Sequence, residues 1–447
     1  MTLTNGKHAV VVGAGIGGLA AAGALAGYFE RVTVLERDAL PSNVDARPGV
    51  PQSSHPHALL VGGLRALCEL FPGFDRDLSE AGAVEIRGGP DAREELPGYD
   101  PFPQRDFGWI VYTMSRPLIE RVARRRLQQL SNVRLRDRSR ALDIVPAPDG
   151  SAAGVRCETA DRAHEMLAAD LVVDASGRGA LTLSLLKTTG RPQPKQTTIG
   201  IDISYATTTF AIPKGEREWK LVITLPDLPV HTRGGLVTPI EGDRWLVLVS
   251  ERHTKLSSID AHGFLDWARR TRTPTIYGAI KNAEPLDKIH LFNFPESSWR
   301  HYEGLNDFPR GVIPLGDAIC RFNPIYGQGM TVAAKEAVVL KDLLQKRVGE
   351  VHPLAGLEQA FFAGVQPIIA ATWSMAAIPD FAHPKTTGDR PADLENSLRF
   401  GAGLLRLAAR DPEVHKLMME VRHLIESPSA LRDPELVRRV QAEMAEA

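Results

Sequence analysis

Four closely spaced glycines and one later carboxylate near the N-terminus have the types and spacing needed to bind a dinucleotide. The glycines are Gly13, Gly15, Gly17 and Gly18, and the carboxylate is Glu36. Gly13 allows a tight turn, and Gly15 lets a pyrophosphate approach the backbone. The last two glycines allow a helix and a strand to pack closely. Glu36 stands roughly where such a motif places a carboxylate for the ribose hydroxyls. Together these residues predict a site for an ADP moiety.

The elements around these residues must place the glycines at the start of a helix. Residues 9–12 form a short apolar run, typical of a strand buried on both faces of a parallel sheet. The Ala- and Leu-rich segment after the glycines predicts a helix, and residues 32–35 predict a second strand that ends at Glu36. The phosphates would bind the free N–H groups and positive dipole end of that helix. A strand-to-helix turn without a ligand is the alternative, and it leaves Glu36 unexplained.

Two later strand ends combine an acid with glycines in a similar way. In residues 169–179 an apolar strand leads into Asp174 and then into a glycine-containing turn. In residues 311–330 a strand ends at Gly316 and Asp317, and a loop then leads into an Ala-rich helix. The informative residues of that loop are Pro324, Gly327, Gly329 and Met330. A glycine-lined helix N-terminus suits an electron-rich ring edge, and Asp317 could accept hydrogen bonds from sugar hydroxyls. An acid that caps a helix is the alternative for Asp317, but it does not explain the glycines.

Other polar candidates lie between these segments. A Pro-, Ser- and Gly-rich loop at residues 41–56 and the start of the next segment contain Arg47, Gln52, His55 and His57. For either histidine taken singly, a solvated loop is the favoured explanation. Arg116 follows Ser115, an N-cap-like serine, at the start of a predicted helix. The basic run at residues 124–126 predicts a solvated helix face rather than an anion site.

The composition is that of an ordinary soluble globular protein. The chain has 447 residues, 43% of them hydrophobic and 24% charged, and its formal net charge is −1. This charge gives no reason to expect nucleic acid or an anionic membrane as a partner. Cys68, Cys157 and Cys320 are far apart, which indicates neither a disulfide framework nor a metal site and fits a reducing cytoplasm. We find no secretory signal and no apolar run long enough to span a bilayer, and therefore expect a cytoplasmic protein.

Changes in periodicity divide the chain into four parts. Residues 1–189 predict a nucleotide-binding α/β unit with a small antiparallel insert near residues 133–160. Residues 190–295 contain short segments of period two, which predict an antiparallel sheet beside a substrate pocket. Residues 296–350 return to the nucleotide-binding pattern. Residues 351–447 predict helices interrupted at Pro367, Pro379, Pro384, Pro412, Pro428 and Pro434.

The three glycine-containing segments, in this order and spacing, resemble the flavoprotein monooxygenases of the para-hydroxybenzoate-hydroxylase type. The resemblance covers residues 7 to about 345. It implies a Rossmann-type FAD-binding domain interleaved with an antiparallel β-sheet substrate domain, followed by a helical C-terminal region. It also implies FAD contacts around the glycine motifs, at the acids that follow the strands and at three arginines. These residues are Gly13, Gly15, Gly17, Gly18, Glu36, Arg37, Arg47, Arg116, Asp174, Gly316, Asp317, Pro324, Gly327, Gly329 and Met330.

A narrower resemblance is to the FAD-dependent olefin epoxidases of polyether polyketide biosynthesis. It rests on Gly49-Val50-Pro51-Gln52 with His55 and His57, Ser115-Arg116-Pro117-Leu118, residues 169–179, Pro239-Ile240-Glu241-Gly242 and Phe322-Asn323-Pro324-Ile325-Tyr326-Gly327. The tryptophan motif WxWxIP of flavin-dependent halogenases is missing, since Trp373-Ser374-Met375 does not supply it. A thioredoxin-reductase-like enzyme would need a CxxC pair and a second nucleotide motif, and the sequence has neither.

The chemistry implied by this resemblance belongs mostly to the cofactor. Flavin reduced by NAD(P)H takes up O₂ to give a C4a-hydroperoxide, whose distal oxygen passes to an electron-rich, apolar substrate. Phenol hydroxylation usually gains from a base, and His55, His57 and Tyr326 are candidates only by residue type. No base can be assigned from the sequence, and an alkene needs none to accept the oxygen. This favours epoxidation of an apolar polyketide or terpenoid alkene. A flavin-dependent reductase of isoprenoid double bonds is an alternative, as is a cyclase or binding protein with structural FAD. The oligomeric state stays open.

Overall fold

The computed structural model describes residues 4–41, 43, 47, 49 and 51–445. Its strands are β1 (Gly6–Val12), β2 (Phe29–Leu35), β3 (Val84–Arg87), β4 (Ala92–Glu95), β5 (Ile110–Thr113), β6 (Val133–Arg136), β7 (Arg140–Pro146), β8 (Ala152–Glu158), β9 (His164–Ala168), β10 (Leu171–Asp174), β11 (Lys195–Ala211), β12 (Leu221–Thr224), β13 (Arg233–Ile240), β14 (Arg244–Arg252), β15 (His290–His301), β16 (Val312–Pro314) and β17 (Cys320–Arg321). Its α-helices are α1 (Ile16–Ala26), α2 (Val61–Leu70), α3 (Phe74–Glu80), α4 (Arg116–Gln128), α5 (Ala180–Thr188), α6 (Ala261–Arg269), α7 (Thr275–Ile280), α8 (Gly329–Lys346), α9 (Leu357–Asp380), α10 (Leu394–Arg410), α11 (Pro412–Arg422) and α12 (Pro434–Ala445).

A five-stranded parallel sheet forms the nucleotide-binding part of the molecule. Its strand order is β16-β10-β1-β2-β6, so that three segments far apart in sequence become neighbours. The central strands are apolar and buried on both faces, as the short valine-rich runs predict. Helices α1 and α8 pack closely, since a Cβ at Gly17 would lie 3.3 Å from Ala333 of α8. The predicted α/β fold class is confirmed.

A seven-stranded sheet stands beside the parallel one, in the order β17-β15-β11-β14-β13-β12-β4. Its pairs are antiparallel except for β12 with β4. The period-two pattern of residues 190–295 predicts most of it, but β15 extends to His301 and both edge strands come from outside that range. Those edge strands are only four and two residues long. Such lengths are too short for a periodicity to appear in the sequence.

The small antiparallel sheet differs from the prediction in two strands, because β9 was not predicted and the predicted strand at residues 133–135 lies in another sheet. It contains β7, β8 and β9, whereas β6 pairs in parallel with β2 at the edge of the nucleotide-binding sheet. The alternation Val133-Arg134-Leu135-Arg136 indicated a half-exposed strand. An edge strand of a parallel sheet can satisfy that pattern as well as an antiparallel strand does. The assignment of residues 133–135 to the insert was therefore wrong, since they pair in parallel with β2.

Helix α9 continues through two prolines that predicted breaks, Pro367 and Pro379. Its apolar face packs into the main core through Phe361, Val365 and Ile369, which are buried. This burial offsets the loss of a backbone hydrogen bond at an internal proline. By length and composition alone α9 could also cross a membrane. The expectation that no apolar stretch is long enough to do so was therefore wrong.

Two buried carboxylates hold the turns that follow β10 and β16. The Asp174 carboxylate accepts hydrogen bonds from the backbone N–H and hydroxyl of Thr182, at 3.0 and 2.8 Å, and from Ser176. The Glu336 carboxylate of α8 accepts a hydrogen bond of 2.6 Å from the backbone N–H of Gly316. The other oxygen of Glu336 is buried without a partner among the described residues. The two acids fix the strand ends relative to the helices that follow them.

We expect Glu336→Gln to remove one pH-dependent contribution to the free energy of unfolding. Burial raises the pKa of Glu336 from 4.5 to about 8. Between these two values the unfolded chain binds fewer protons than the folded chain, so the stability of the wild type falls as the pH rises. The slope is at most roughly 1.4 kcal/mol per pH unit. Urea unfolding across this range should show a shallower decline for the variant.

Asp342 provides the control for this experiment, because it is exposed on the same helix. The substitution Asp342→Asn should keep the wild-type dependence of stability on pH. Equal slopes for the wild type and Glu336→Gln would mean that Glu336 is already ionised in the folded chain.

Candidate cofactor site

The three glycine-containing turns meet at the carboxyl ends of neighbouring parallel strands. Strand β1 pairs with β10 and β10 pairs with β16, so the turns after Val12, Asp174 and Pro314 lie side by side. A Cβ at Gly13 would lie 2.6 Å from the carbonyl oxygen of Ala175, which shows that the first two turns touch. Crevices at this end of an open α/β sheet are the usual ligand sites of such folds.

The fold itself requires two of the N-terminal glycines. Gly13 has φ +102°, in the region that favours glycine. A Cβ at Gly18 would lie only 1.9 Å from the carbonyl oxygen of Gly13, so no side chain fits there. These two residues would therefore be glycines whether or not a ligand binds.

Gly15 and Gly329 are different, because the protein leaves space at both. Gly15 has φ −74° and ψ 176°, which any residue can adopt, and a Cβ there would meet only Arg116 Nη2, at 3.8 Å. At Gly329 a Cβ would meet only Asp317 Oδ1, at 3.9 Å. Each glycine stands at the N-terminal end of a helix, α1 or α8, that has neither a side-chain cap nor an acid in its first turn. This combination leaves N–H groups free for an anionic or electron-rich ligand.

A buried cluster of charges lies beside the start of α1. Arg47 Nη1 is 2.9 Å from Glu36 Oε2 and 3.1 Å from Asp38 Oδ2, and Arg47 Nε is 3.0 Å from Glu120 Oε2. Arg116 Nε is 2.9 Å from Glu120 Oε1. Glu120 was not among the predicted residues, although its position four residues after Arg116 on a helix could have indicated the pair. Arg47 is thus bonded to three carboxylates, while one Arg116 nitrogen remains next to Gly15.

The predicted acids occupy different environments. Glu36 is buried and accepts a hydrogen bond of 2.9 Å from the backbone N–H of Ala14. Asp174 is fully buried and bonded within its own turn. Arg37 is exposed. The predicted contacts of these residues with a cofactor stay predictions.

Asp317 lines the space in front of α8. Its side chain is accessible to solvent, yet protein surrounds it so closely that burial raises the pKa of the carboxyl above its ordinary value. Arg321, Arg116 and Arg300 oppose this rise in the pKa. Asp317 could accept hydrogen bonds from ligand hydroxyls there.

We define the flavin loop as residues 323–328, between β17 and α8. Pro324 is exposed, and Gly327 has φ +67° with its Cα facing Ala58, where a Cβ would lie 2.6 Å from that side chain. Met330 is half-buried just beyond the loop. The Gln328 side-chain oxygen is buried and has no partner among the described residues. Val50, which belongs to the GVPQ motif, lies outside the described residues.

His55 packs against the seven-stranded sheet, on the side of the flavin loop. Its Nδ1 lies 2.7 Å from the Thr207 hydroxyl, and its ring centroid is 6.2 Å from that of Tyr205 and 5.7 Å from that of Phe292. Burial lowers the pKa of His55 to about 4. Sequence reasoning did not single out Thr207 or Tyr205, because only the strand pairing brings them to His55.

The other two candidate bases are held by neighbours. His57 Nδ1 lies 2.8 Å from the His55 carbonyl oxygen, and burial lowers the pKa of His57 to about 3. Burial raises the pKa of Tyr326 above its usual range. None of the three side chains is poised to take a proton at neutral pH.

These features fit FAD. The uncapped start of α1 with Gly15 and Arg116 suits a pyrophosphate, Glu36 suits a ribose, and Asp317 with the start of α8 suits the ribityl chain and the ring edge. In the described part of the chain no group of three His, Cys, Asp or Glu side chains is arranged to hold a metal ion. Cys68, Cys157 and Cys320 are free thiols.

Comparisons with solved structures agree on the fold. PqsL, a probable FAD-dependent monooxygenase from Pseudomonas aeruginosa, matches with a TM-score of 0.63 and 18% identity, over 84% of this chain and 96% of that chain. The flavin-dependent brominase Bmp2 matches with a TM-score of 0.67 and 14% identity, over 99% of each chain. A mutant of 2-methyl-3-hydroxypyridine-5-carboxylic acid oxygenase matches with a TM-score of 0.60 and 19% identity, over 83% of this chain and 90% of that chain.

Comparisons of sequence define the family. The family model described as FAD dependent oxidoreductase matches residues 8–199. The chain is also 32% identical over 403 residues to protein Rv3254 of Mycobacterium tuberculosis, which covers 86% of this chain and 82% of that protein. The chain therefore belongs to the same family as protein Rv3254, and its residues 8–199 are similar to the FAD-dependent oxidoreductase model.

Proposed function

We propose that this protein is an FAD-dependent monooxygenase that uses NAD(P)H and O₂ to epoxidise or hydroxylate an apolar natural product. A polyketide or terpenoid alkene is the favoured substrate, and the cytoplasm is the proposed location. The observation that carries the proposal is the pair Gly15 and Gly329. Both are glycines that the fold does not require, at two uncapped helix starts, one beside Arg116 and the other beside Asp317.

We propose that different residues bind different parts of FAD. Gly15 and the start of α1 would bind the pyrophosphate, with Arg116 beside them and Glu36 at the adenosine ribose. Asp317 would bind the ribityl hydroxyls, and the flavin loop with Gly329 would enclose the ring edge. The domain boundaries at residues 189, 295 and 350 remain part of this proposal.

Bound flavin would activate O₂. The protein would exclude water with an apolar surface and orient the substrate. We place the substrate between the flavin loop and the seven-stranded sheet. There Tyr205 and Phe292 are register partners on β11 and β15, with ring centroids 6.3 Å apart. The Nε2 atom of His55 is buried without a partner among the described residues. One polar group of a mostly apolar substrate could bind there.

The state of the candidate bases supports epoxidation over phenol hydroxylation. A phenol gains from a base that removes its proton, whereas an alkene accepts an oxygen without one. With a pKa of about 4, His55 is neutral at pH 7 but a weak base. Tyr326 already donates its hydroxyl proton to Asp380. Both features suit a substrate that has no proton to lose.

We expect Gly15→Val to abolish tight FAD binding while the protein still folds. The new side chain meets no protein atom closer than 3.8 Å at its Cβ, but it projects into the proposed pyrophosphate position. Steric exclusion of the phosphates should weaken binding by about 100-fold or more, equivalent to roughly 2.7 kcal/mol. Flavin fluorescence titration of the cofactor-free proteins measures this.

Gly27→Val is the matched control, because Gly27 ends the same helix and a Cβ there has no atom within 4 Å. This control should bind FAD as the wild type does. Equal FAD affinity for Gly15→Val and the wild type would place the pyrophosphate elsewhere.

The second expectation concerns the reaction. With FAD, NADPH or NADH, and a panel of polyene polyketides and terpenoid alkenes, we expect substrate-dependent O₂ uptake and a product that carries one atom from ¹⁸O₂. Turnover without oxygen that saturates a double bond would instead support the reductase alternative. Turnover without any reductant would support a cyclase with structural FAD. NAD(P)H oxidation that releases all the oxygen as peroxide with every substrate would contradict the proposal.

A further inference from the structure

A buried ionic cluster connects the flavin loop to the C-terminal part of the chain. Asp380 accepts hydrogen bonds from the Tyr326 hydroxyl at 2.8 Å and from Asn323 Nδ2 at 2.9 and 3.1 Å. Arg252 pairs with Asp380 and donates to the Tyr326 oxygen at 2.9 Å. The side chains of Arg252 and Asp380 are 3% and 1% exposed. We call Arg252, Tyr326 and Asp380 the clamp.

Each member of the clamp comes from a different element. Arg252 is the last residue of β14, Asp380 is the last residue of α9, and Tyr326 belongs to the flavin loop. A carboxylate at the C-terminal end of a helix is disfavoured by the helix dipole. Asp380 is therefore stable in this place only because Arg252, Tyr326 and Asn323 all donate to it. Loss of any one of these donors would leave the buried Asp380 carboxylate with an unsatisfied hydrogen-bonding position, which destabilises the folded protein.

The segment after α9, residues 381–388, holds Asp380 in position. The Thr386 hydroxyl donates to the Asp380 carbonyl oxygen at 2.7 Å. Thr387 and Gly200 exchange two backbone hydrogen bonds of 3.0 Å. Gly200 is at the point where β11 shifts register against β15, before β14 begins to pair at Ile203. The segment therefore binds a part of β11 that β14 does not cover.

We propose that Tyr326 is a positioning residue for the flavin ring, and that α9 with residues 381–388 forms part of the cofactor site by holding its hydroxyl. This rests on the proposed binding of FAD. The contacts of Asn323 and Tyr326 with Asp380 fix both ends of the turn that contains Pro324. That turn immediately precedes Gly329 and the open start of α8. A flavin loop released from Asp380 would lose its fixed position beside the ring.

The test compares Tyr326→Phe, Asp380→Asn and the double variant with the wild type. Loss of the hydroxyl should weaken FAD binding by about 3- to 10-fold, the range for one buried hydrogen bond. The visible circular dichroism of the bound flavin should change, because the ring environment changes. Hydrogen exchange of residues 323–330 should become faster even without FAD. The double variant should lose less affinity than the product of the two single losses, because both changes break one network.

Glu95→Gln is the matched control. Glu95 is a fully buried carboxylate of β4, three strands away from β14, and it accepts hydrogen bonds from Arg93 Nε at 2.8 Å, Thr224 at 2.6 Å and Thr275 at 2.5 Å. This variant should lose stability but keep the FAD affinity, the flavin spectrum and the exchange rates of the flavin loop.

The outcomes separate this inference from the proposed function. If Tyr326→Phe binds FAD with wild-type affinity, spectrum and loop exchange, the positioning role is wrong and FAD binding stands. If the wild type binds no FAD, the proposed function fails. Hydrogen exchange of residues 323–330 in the cofactor-free wild type and variants then shows whether the clamp holds the flavin loop. If Asp380→Asn does not fold, the milder Tyr326→Phe still decides between these results.

Discussion

The close contact between the turn at Gly13 and the turn at Ala175 is the constraint on which the site depends. No side chain fits at Gly13, because a Cβ there would lie 2.6 Å from the Ala175 carbonyl oxygen. The contact lets β1 and β10 end side by side, with β16 next to β10. The starts of α1 and α8 have open space at Gly15, beside Arg116, and at Gly329, beside Asp317. Every later feature of the site, from Arg116 to the flavin loop, takes its position from this arrangement.

Buried carboxylates maintain that arrangement. Glu36 binds the N–H group of Ala14, Glu336 binds that of Gly316, and Glu358 binds that of Gly311 at 2.6 Å. Each acid comes from an element other than the turn it holds. A buried carboxyl group without a compensating cation is neutral unless hydrogen bonds replace its water. Burial raises the pKa of Glu336 to about 8, so Glu336 keeps its proton at neutral pH. Glu336 and Glu358 thus hold turns without a proposed part in binding a ligand, whereas Glu36 both holds its turn and is proposed to bind the ribose.

Local patterns predicted the features that depend on neighbouring residues in the sequence. The glycine turn after β1, the N-cap at Ser115 and the period-two strands all follow from short-range rules, and the structure has them. The strand β6 was assigned to the wrong sheet, since alternation does not distinguish an edge strand of either kind. The breaks at Pro367 and Pro379 were wrong because burial of the helix face outweighed a local preference. The clamp could not be predicted, because Arg252 and Asp380 are 128 residues apart.

The place of Asp380 in the chain has a consequence for synthesis. The ribosome makes the glycine turn first, then Arg252, then the flavin loop, and only later the residue that connects the last two. A nascent chain that ends before Asp380 would present the N-terminal nucleotide motif without the support of its ring-binding loop. If FAD binds as proposed, loading of the cofactor in its final geometry must wait until Asp380 has been made. A truncation after α8 would then leave a protein that holds the nucleotide end of the cofactor better than the flavin end.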